Sequence, residues 1–373
     1  MPAFDFLNLK TTGFGLDISD SSIKIAKLKK RGGFLALASF IEKEVPAGII
    51  NDGEIKDEDA LAEIIKKAVS EVKGEKLKSN HVIISLPEEK AFLQIIQVPK
   101  MNEEELRKAI KFEAENYIPL PVGETYIDFQ PVQPYIDHLD HADVLVAALP
   151  RKIVDPYVAA VKKAGLIPLA LEIESLAIAR AVVKNGVSPF PLLLIDLGAS
   201  RSSFIVFGGY AVRFTFSILV SSSKFTEVIS RSLKIDINEA EKKKVEYGLE
   251  TRGKKEGQAV FESLIPAMTD LVEQVKIHLR YYQTHSFHEH LPPNGRGVEK
   301  IVLCGGGANL KGLADFISKD LMLPVEIGNP WVNILPEKLT EIPGLSYEKS
   351  LGYTTALGLA LRALSQEKNN KQK

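Results

Sequence analysis

The first part of the chain alternates hydrophobic and polar residues, a pattern that predicts strands. Residues 14–28 contain two such runs around the polar sequence SDSS, which predicts an antiparallel hairpin, and 34–40 predicts a third strand. Over 57–72, apolar residues recur every three or four positions after an acidic start, which predicts a helix. The β-branched run 81–86 is typical of a buried strand. We therefore expect a sheet with a helix docked on it.

A small αβ insert is predicted at about 89–168. Its expected elements are a strand at 92–98, a helix at 102–116, an extended stretch, a strand at 143–148 and a helix at 155–164. Gly165 is expected to stop the last helix. An amphipathic helix is predicted over 171–183, and Pro189-Phe190-Pro191 marks the expected crossing into the second half.

The second half also runs from strands to helices. The expected elements are strands at 192–197, 203–207 and 211–216, helices at 224–232, 238–247 and 258–283, a strand at 301–304, and helices at 312–321 and 354–364. We divide this α/β chain into a first lobe at 13–188, a second lobe at 189–365 with a helical subdomain at about 221–298, and a flexible tail at 366–373.

Composition narrows the class of protein. The length of 373 residues suggests two or three domains, and 47 basic against 48 acidic residues give no overall field that would attract nucleic acid or anionic lipid. Cys304 is the one cysteine, so an intramolecular disulfide and a Cys-rich zinc site are excluded. No apolar run approaches the ~20 residues of a membrane helix, and no signal peptide is recognisable. These features favour a cytoplasmic protein.

Two motifs, one in each half, resemble each other. GLDISDSS at 15–22 and LIDLGASRSS at 194–203 each place an Asp after an apolar strand and before a turn of small residues. Such turns let phosphate oxygens approach backbone N–H groups and hydroxyls. Because Asp17 and Asp196 would repel a bare phosphate, they indicate a Mg²⁺ ion that bridges carboxylate and phosphate through water. A third motif, IVLCGGGANLKGL at 301–313, offers bare glycine backbone to a flat base or ribose.

The order of these motifs resembles the actin, Hsp70 and sugar-kinase superfamily, in which two phosphate motifs and an adenosine motif surround an ATP cleft. More narrowly, the chain resembles the PilM family of type IV pilus assembly proteins, which are relatives of the division protein FtsA. The stretches that carry this resemblance are GLDISDSSIKIAKL, PKMNEEELRKAIKFEAENYIPLP, ALEIESLAIARA, IDLGASRSSFIVF, INEAEKKKVEYG and IVLCGGGANLKGLADFI. The resemblance implies an actin-like two-lobed fold with duplicated ribonuclease-H-like domains.

The resemblance also implies which residues bind ATP and Mg²⁺. The first phosphate motif corresponds to Asp17, Ser19, Ser21, Ser22 and Lys24. The second corresponds to Asp196, Gly198, Ala199, Ser200 and Ser202. The adenosine motif corresponds to Gly305, Gly306, Gly307, Ala308 and Leu310, and the ribose and base positions to Glu241 and Lys244. Asp17 and Asp196 are the expected metal residues, and Asp196 and Glu174 the expected catalytic ones, with Glu174 at a water-orienting position.

Two departures from the superfamily pattern bear on hydrolysis. Ser19 stands where the first motif usually has Gly, which adds a Cβ where backbone approaches phosphate, although the hydroxyl offers a hydrogen bond. The segment 220–223 stands where relatives often have a pair of glycines. We therefore expect at most a slow ATPase.

By resemblance, the function is that of a cytoplasmic ATP-binding scaffold in the inner-membrane assembly platform of a type IV pilus, with roles in pilus biogenesis and twitching motility, or of the related type II secretion machine. The expected partner is the cytoplasmic N-terminal peptide of PilN, bound beside the insert in a nucleotide-sensitive way. Pilus assembly ATPases, other platform proteins and self-association are further implied contacts. The membrane would be reached through partners only.

Two other functions remain open on this fold. A small-molecule kinase would need a general base in the cleft, for which Asp196 is the candidate. An FtsA-like polymerising scaffold would normally carry a C-terminal amphipathic anchor, which SQEKNNKQK does not provide. The four histidines at 278–290 are irregularly spaced and the lysines at 242–255 are balanced by glutamates, so neither zinc nor nucleic acid is an expected ligand.

Overall fold

The computed structural model describes residues 13–32, 34–119, 121–135, 140–251, 253–285, 297–336 and 344–369. The strands are β1 (Phe14–Ile18), β2 (Ser22–Arg31), β3 (Phe34–Glu44), β4 (Ile50–Asn51), β5 (Glu54–Ile55), β6 (Lys73–Gly74), β7 (His81–Leu86), β8 (Phe92–Pro99), β9 (Thr125–Pro131), β10 (His141–Pro150), β11 (Ile167–Ile173), β12 (Ser188–Leu197), β13 (Ser202–Gly209), β14 (Ala211–Ile218), β15 (Lys300–Cys304) and β16 (Val325–Ile327). The helices are α1 (Glu58–Ser70), α2 (Glu103–Tyr117), α3 (Arg151–Lys163), α4 (Glu174–Val182), α5 (Ser222–Leu233), α6 (Ile237–Tyr247), α7 (Lys255–His285), α8 (Leu313–Leu321), α9 (Tyr347–Leu351) and α10 (Thr354–Asn369).

Two central sheets share one topology. The first lobe contains a six-stranded sheet in the order β11-β7-β1-β2-β3-β6, and the second lobe a five-stranded sheet in the order β14-β13-β12-β15-β16. Strand β1 pairs antiparallel with β2 and parallel with β7, while β12 pairs antiparallel with β13 and parallel with β15. The two similar motifs therefore lie at equivalent places in a duplicated α/β fold.

Burial explains the hydrophobic pattern of these strands. All residues of β1 are buried, including Asp17 and Gly15, so the strand is covered on both faces. Strand β2 alternates instead, because Ile23 and Ile25 enter the core while Lys24 is only partly covered. In the second lobe, α5, α6 and α7 pack together over the sheet.

The insert is shorter than predicted. A three-stranded sheet in the order β8-β10-β9 carries α2 and ends at Pro150. Helix α3 belongs to the first lobe, because Lys163 pairs with Glu58 and Asp59 of α1 at 2.9 and 2.8 Å. Strand β11 likewise pairs with β7 in the first-lobe sheet. We therefore define the insert as 92–150 rather than 89–168.

The predicted helix at 171–183 begins three residues too early. Residues up to Ile173 continue β11, and α4 starts at Glu174. The apolar residues at 169, 171 and 173 fit the strand period, and pairing with β7 decided between the two periods. The expected crossing at 189–191 also lies within a strand, β12, at a shift of register between Ser188 and Leu192.

The last helix crosses back to the first lobe. Helix α10 packs on β1, β2 and α4, so the second lobe does not extend continuously to 365. Gly15 permits this contact, because a Cβ there would lie 2.4 Å from the carbonyl oxygen of Ala356. The helix runs to Asn369, beyond the predicted start of the tail, and 370–373 lie outside the described residues.

Candidate functional site

A cleft of about 680 Å³ lies between the two lobes and brings together most of the predicted site residues. The predicted residues that line it are Asp17, Ser19, Ser21, Ser22, Lys24, Glu174, Asp196, Gly198, Ala199, Ser200, Gly305 and Gly306. They come from the last residues of β1 and β12, from the turns that follow β1, β12 and β15, and from the first residues of β2 and α4. The volume is in the range of small-molecule sites.

The first turn holds itself together by hydrogen bonds between serines. The backbone N–H and the hydroxyl of Ser19 both donate to the carbonyl oxygen of Ser22, each at 2.9 Å. Lys24 Nζ donates to Ser22 Oγ at 2.6 Å. In the described part of the chain, non-glycine residues with positive φ are Asp52, Asn185, Lys234 and Met322. Ser19 is not among them, so its backbone conformation does not require a glycine.

The second turn is attached to the start of a helix. Gly198 N–H donates to the carbonyl oxygen of Arg201 at 3.0 Å, and a Cβ on Gly198 would lie 2.7 Å from that oxygen. The carbonyl oxygen of Gly198 accepts from the N–H of Ser222, the first residue of α5. Ser221 caps this helix by accepting from Lys224 N–H. The turn is therefore fixed relative to the helical subdomain.

The three glycines of the third motif have different roles. Gly305 has φ +80°, and a Cβ there would lie 2.6 Å from Asp196 Oδ1. A Cβ on Gly307 would lie 2.9 Å from the carbonyl oxygen of Leu197. These two glycines are required by packing against the end of β12. Gly306 has open space around its Cβ position and lines the cleft, so it is the glycine available to a flat ligand.

Carboxyl groups in the cleft raise each other's pKa. Burial, followed by repulsion from Asp17 and Glu89, places the pKa of Glu174 well above its usual value. Burial and the charge of Asp17 raise the pKa of Asp196 to about 6, against the attraction of Lys24. Burial also raises the pKa of Asp17, which Lys24 opposes. The cleft thus holds an excess of negative charge that a bound cation would relieve.

Six predicted residues do not line the cleft: Ser202, Glu241, Lys244, Gly307, Ala308 and Leu310. The Ser202 hydroxyl is buried and donates to the carbonyl oxygen of Val220 at 2.6 Å. Lys244 is also buried; its Nζ donates to Thr226 Oγ1 at 2.7 Å and pairs with Glu241 at 2.7 Å. Ala308 and Leu310 are part of the second-lobe core. These side chains stabilise the second lobe next to the cleft and do not line the cleft itself.

Sequence reasoning missed several residues that line the cleft: Asp20, Gly53, Glu89, Tyr157, Arg201, Asn309 and Lys349. Glu89 is the third residue after the buried strand β7, a position where polar residues often form sites, and Arg201 lies inside the second motif. Tyr157 offers no such signal, because it reaches the cleft from α3. Only the packing of that helix on the first lobe brings it there.

A second concavity, the groove, has a volume of about 1010 Å³ and lies between the insert and the two lobes. Two of its walls are β9 and β11, which are edge strands of their sheets. Apolar residues such as Leu145, Leu176 and Val212 line it together with the charged groups of Arg180 and Arg362. An extended peptide could pair with either strand edge there.

Among the ranges that the structure describes, no group of three or more His, Cys, Asp or Glu side chains is placed to hold a metal ion. His278 stacks on Phe216 at 3.7 Å and His285 on Tyr281 at 4.3 Å, while His288 and His290 lie outside the described residues. None of the described helices has the length and apolar character of a membrane span.

The duplicated sheets, with one Asp-containing turn on each facing a common cleft, define an actin-like protein of two lobes. A family described as type IV pilus assembly protein PilM matches residues 15–364. The chain therefore belongs to the PilM family.

Comparison with known proteins agrees with this family and fold. The structure of a PilM-PilN type IV pilus biogenesis complex is 27% identical, has a TM-score of 0.77, and covers 95% of this chain and 99% of its own. MreB5 of Spiroplasma citri bound to ADP shares the fold at 16% identity and a TM-score of 0.55, over 97% and 98% of the two chains. The cell division protein FtsA of Streptococcus pneumoniae is 24% identical over an alignment of 357 residues, and the match covers 85% of this chain and 75% of FtsA.

Proposed function

We propose that this protein is an actin-like scaffold of the type IV pilus assembly platform that binds Mg-ATP in the cleft and the N-terminal peptide of PilN in the groove. The proposed binding of Mg-ATP is supported by the convergence of both Asp turns and Gly306 on one cleft. Support for the peptide part comes from the family and from the structural relative that is a PilM-PilN complex. Through PilN the protein would act at the cytoplasmic face of the inner membrane.

The residues of the cleft fit a magnesium nucleotide. Ser21, Ala199 and Ser200 line the cleft and would offer backbone N–H groups, and the two serines their hydroxyls, to phosphates. Gly306 would offer open backbone to the adenosine. Asp17 and Asp196 would hold Mg²⁺ through its waters, because Mg²⁺ usually binds through one or two carboxylates together with phosphate and water. The raised pKa values of both groups fit this proposal, since a cation would stabilise their charged forms. MreB5, a structural relative, has been solved with ADP and with AMPPNP.

Hydrolysis would be slow. Glu174 lines the cleft and would orient a water at the phosphates, and it would accept a proton from that water only when it is ionised. Burial and neighbouring acids place its pKa well above the usual value, which disfavours the ionised form relative to an ordinary glutamate. The nucleotide would then act mainly by its different affinities for two arrangements of the lobes.

Helix α4 offers a direct path between the cleft and the groove. Glu174, its first residue, lines the cleft, and Leu176 and Arg180 line the groove. Glu88 Oε2 accepts from Ser175 N–H at 3.2 Å and so holds the start of the helix to the end of β7. A shift of α4 on nucleotide binding would therefore reshape the groove, which is how we propose that ATP affects PilN binding.

Binding of Mg-ATP and binding of the peptide can be tested separately. Thermal unfolding with Mg-ATP at ~100 times Kd should show about 2.7 kcal/mol of stabilisation, which Asp17→Asn and Asp196→Asn should each remove. The PilN N-terminal peptide should bind with an affinity that changes with Mg-ATP. Tyr126→Ala, in the groove, should weaken binding of the peptide. Tyr347→Ala, which is similarly exposed but outside the groove, should leave peptide binding unchanged. A folded protein that binds neither ligand would refute the proposal.

A further inference from the structure

One arginine of the second lobe crosses the cleft to the first lobe. Arg201, in the second turn, donates to Asp52 Oδ1 in the turn between β4 and β5. Its Nε lies 3.6 Å from Glu89 Oε1, just after β7. The side chain of Arg201 is mostly buried and lines the cleft. A guanidinium from one lobe is thus held by two carboxylates of the other.

The carboxylate that receives Arg201 is itself tied to the first turn. Asp20 Oδ2 accepts from Asp52 N–H at 3.1 Å, and Asp20 Oδ1 accepts from Gly53 N–H at 3.0 Å. Tyr157 donates its hydroxyl to the carbonyl oxygen of Gly53 at 3.1 Å. The contacts Arg201 to Asp52 and Asp52 to Asp20 therefore join the second phosphate turn to the first across the cleft.

A phosphate group could replace the carboxylates of Asp52 and Glu89 as the partner of Arg201. A guanidinium binds phosphate with the same two-pronged geometry as carboxylate. Asp52 has a second cation, Lys90, at 3.1 Å, and the hydrogen bond from Lys90 is the main reason that its pKa is lowered. Asp52 would therefore keep a partner if Arg201 left. Burial raises the pKa of Glu89, so Glu89 can lose its cation by taking up a proton.

We propose that Arg201 is a phosphate-binding residue that leaves Asp52 and Glu89 for the phosphate oxygens of the nucleotide, and so opens the bridge between the lobes when the cleft is filled. This inference rests on the proposed nucleotide function. It assigns to Arg201 two roles: a contact to the phosphates in the filled cleft, and a cross-lobe ion pair in the empty one.

Binding of Mg-ATP to the full-length protein tests the first role. Arg201→Gln should weaken binding about 10-fold to 100-fold, the range expected for a charged hydrogen bond, and Arg201→Lys should weaken it less. Asp52→Asn should tighten binding about 2-fold to 10-fold, because it removes the competing carboxylate. Asn also tolerates the positive φ of this position. Arg231→Gln, an exposed arginine of α5, serves as the control and should leave binding unchanged.

The second role is tested by urea unfolding of the single and double variants at 201 and 52. Without nucleotide, the effects of Arg201→Gln and Asp52→Asn should be non-additive, because each removes the same ion pair. With saturating Mg-ATP the two effects should become additive. Coupling that persists in Mg-ATP, or weaker ATP binding by Asp52→Asn, would overturn the exchange.

The binding measurements distinguish a failure of the proposed role of Arg201 from a failure of the proposed nucleotide function. If the wild-type protein binds Mg-ATP and Arg201→Gln binds it within about 2-fold of wild type, the inference on Arg201 is wrong and the nucleotide function stands. If the folded wild-type protein binds no Mg-ATP, the nucleotide function is wrong and the role of Arg201 falls with it.

Discussion

Ser85 donates a hydrogen bond to Asp17, with 3.1 Å between Ser85 Oγ and Asp17 Oδ1. The same hydroxyl oxygen accepts from the backbone N–H of Ile18 at 2.8 Å. Ser85 is fully buried on β7, the parallel neighbour of β1. A serine 68 positions away in sequence therefore fixes both the carboxylate of the first motif and the end of its strand.

Ser85→Ala is expected to lower the free energy of unfolding by about 1–3 kcal/mol, because it leaves the buried N–H of Ile18 without its acceptor. It should also raise the pKa of Asp17, which the hydrogen bond now lowers. Urea denaturation measures the first effect. Ser70→Ala, whose exposed hydroxyl donates within α1, should change stability by less than about 0.5 kcal/mol. Equal effects of the two substitutions would contradict the structural role of Ser85.

Gly305→Ala is expected to abolish nucleotide binding and to destabilise the protein. The added Cβ would lie 2.6 Å from Asp196 Oδ1 and from the carbonyl oxygen of Leu197, so the second turn must move. Gly165→Ala is a matched control, because Gly165 has the same φ of +80° but open space around its Cβ position. The free energy of unfolding of the control should fall by about 1 kcal/mol from backbone strain alone, and its affinity for Mg-ATP should not change. Titration calorimetry and thermal unfolding distinguish the two.

Arg213→Met is expected to destabilise the protein by about 3–5 kcal/mol. Arg213 of β14 and Asp143 of β10 form an ion pair at 2.6 Å in which each side chain is 2% exposed, so the substitution leaves a buried carboxylate without this cation. Because the pair joins the second lobe to the insert, the groove should also bind peptide more weakly. Arg107→Met, which breaks an exposed pair with Glu103, should cost at most about 1 kcal/mol. Urea denaturation compares the stability of the two variants. Similar losses of stability would contradict a stabilising role for the buried pair.

Asp196→Asn is expected to gain stability relative to wild type as the pH rises. The folded pKa of Asp196 is raised from 3.8 to about 6, so its carboxyl stabilises the fold fully below pH ~4 and loses this contribution as the pH rises through ~6. At pH 7 the neutral amide avoids the burial of a charge, which corresponds to at most about 3 kcal/mol. Unfolding of both proteins without ligand between pH 4 and 7 measures the difference. A difference that does not vary with pH would show that Asp196 titrates normally.

The strands and helices were largely predictable because their hydrophobic patterns are local. The hairpin of β1 and β2, the strand β7 and the helix α1 follow from alternation, β-branched runs and an acidic helix start. One error occurred where two periods fit the same residues. At 171–173 the apolar residues suited a helix as well as a strand, and only pairing with β7 decides between them.

The candidate site was predictable to the extent that it lies in short motifs. The turns after Asp17, Asp196 and Cys304 converge on one cleft, as their order along the chain suggested. Glu241 and Lys244 were selected by the family pattern, but in this chain they bond to each other and to α5. Side chains that reach the cleft from a distant helix carry no local signal.

The two Asp turns, the glycine turn and the strands that precede them can be derived from the amino-acid order, because each depends on residues within a few positions of one another. The hydrogen bond from Ser85 to Asp17 and the contact of Arg201 with Asp52 across the cleft arise only in the folded protein. These contacts join residues 68 and 149 positions apart, and the packing of sheets and lobes sets such distances.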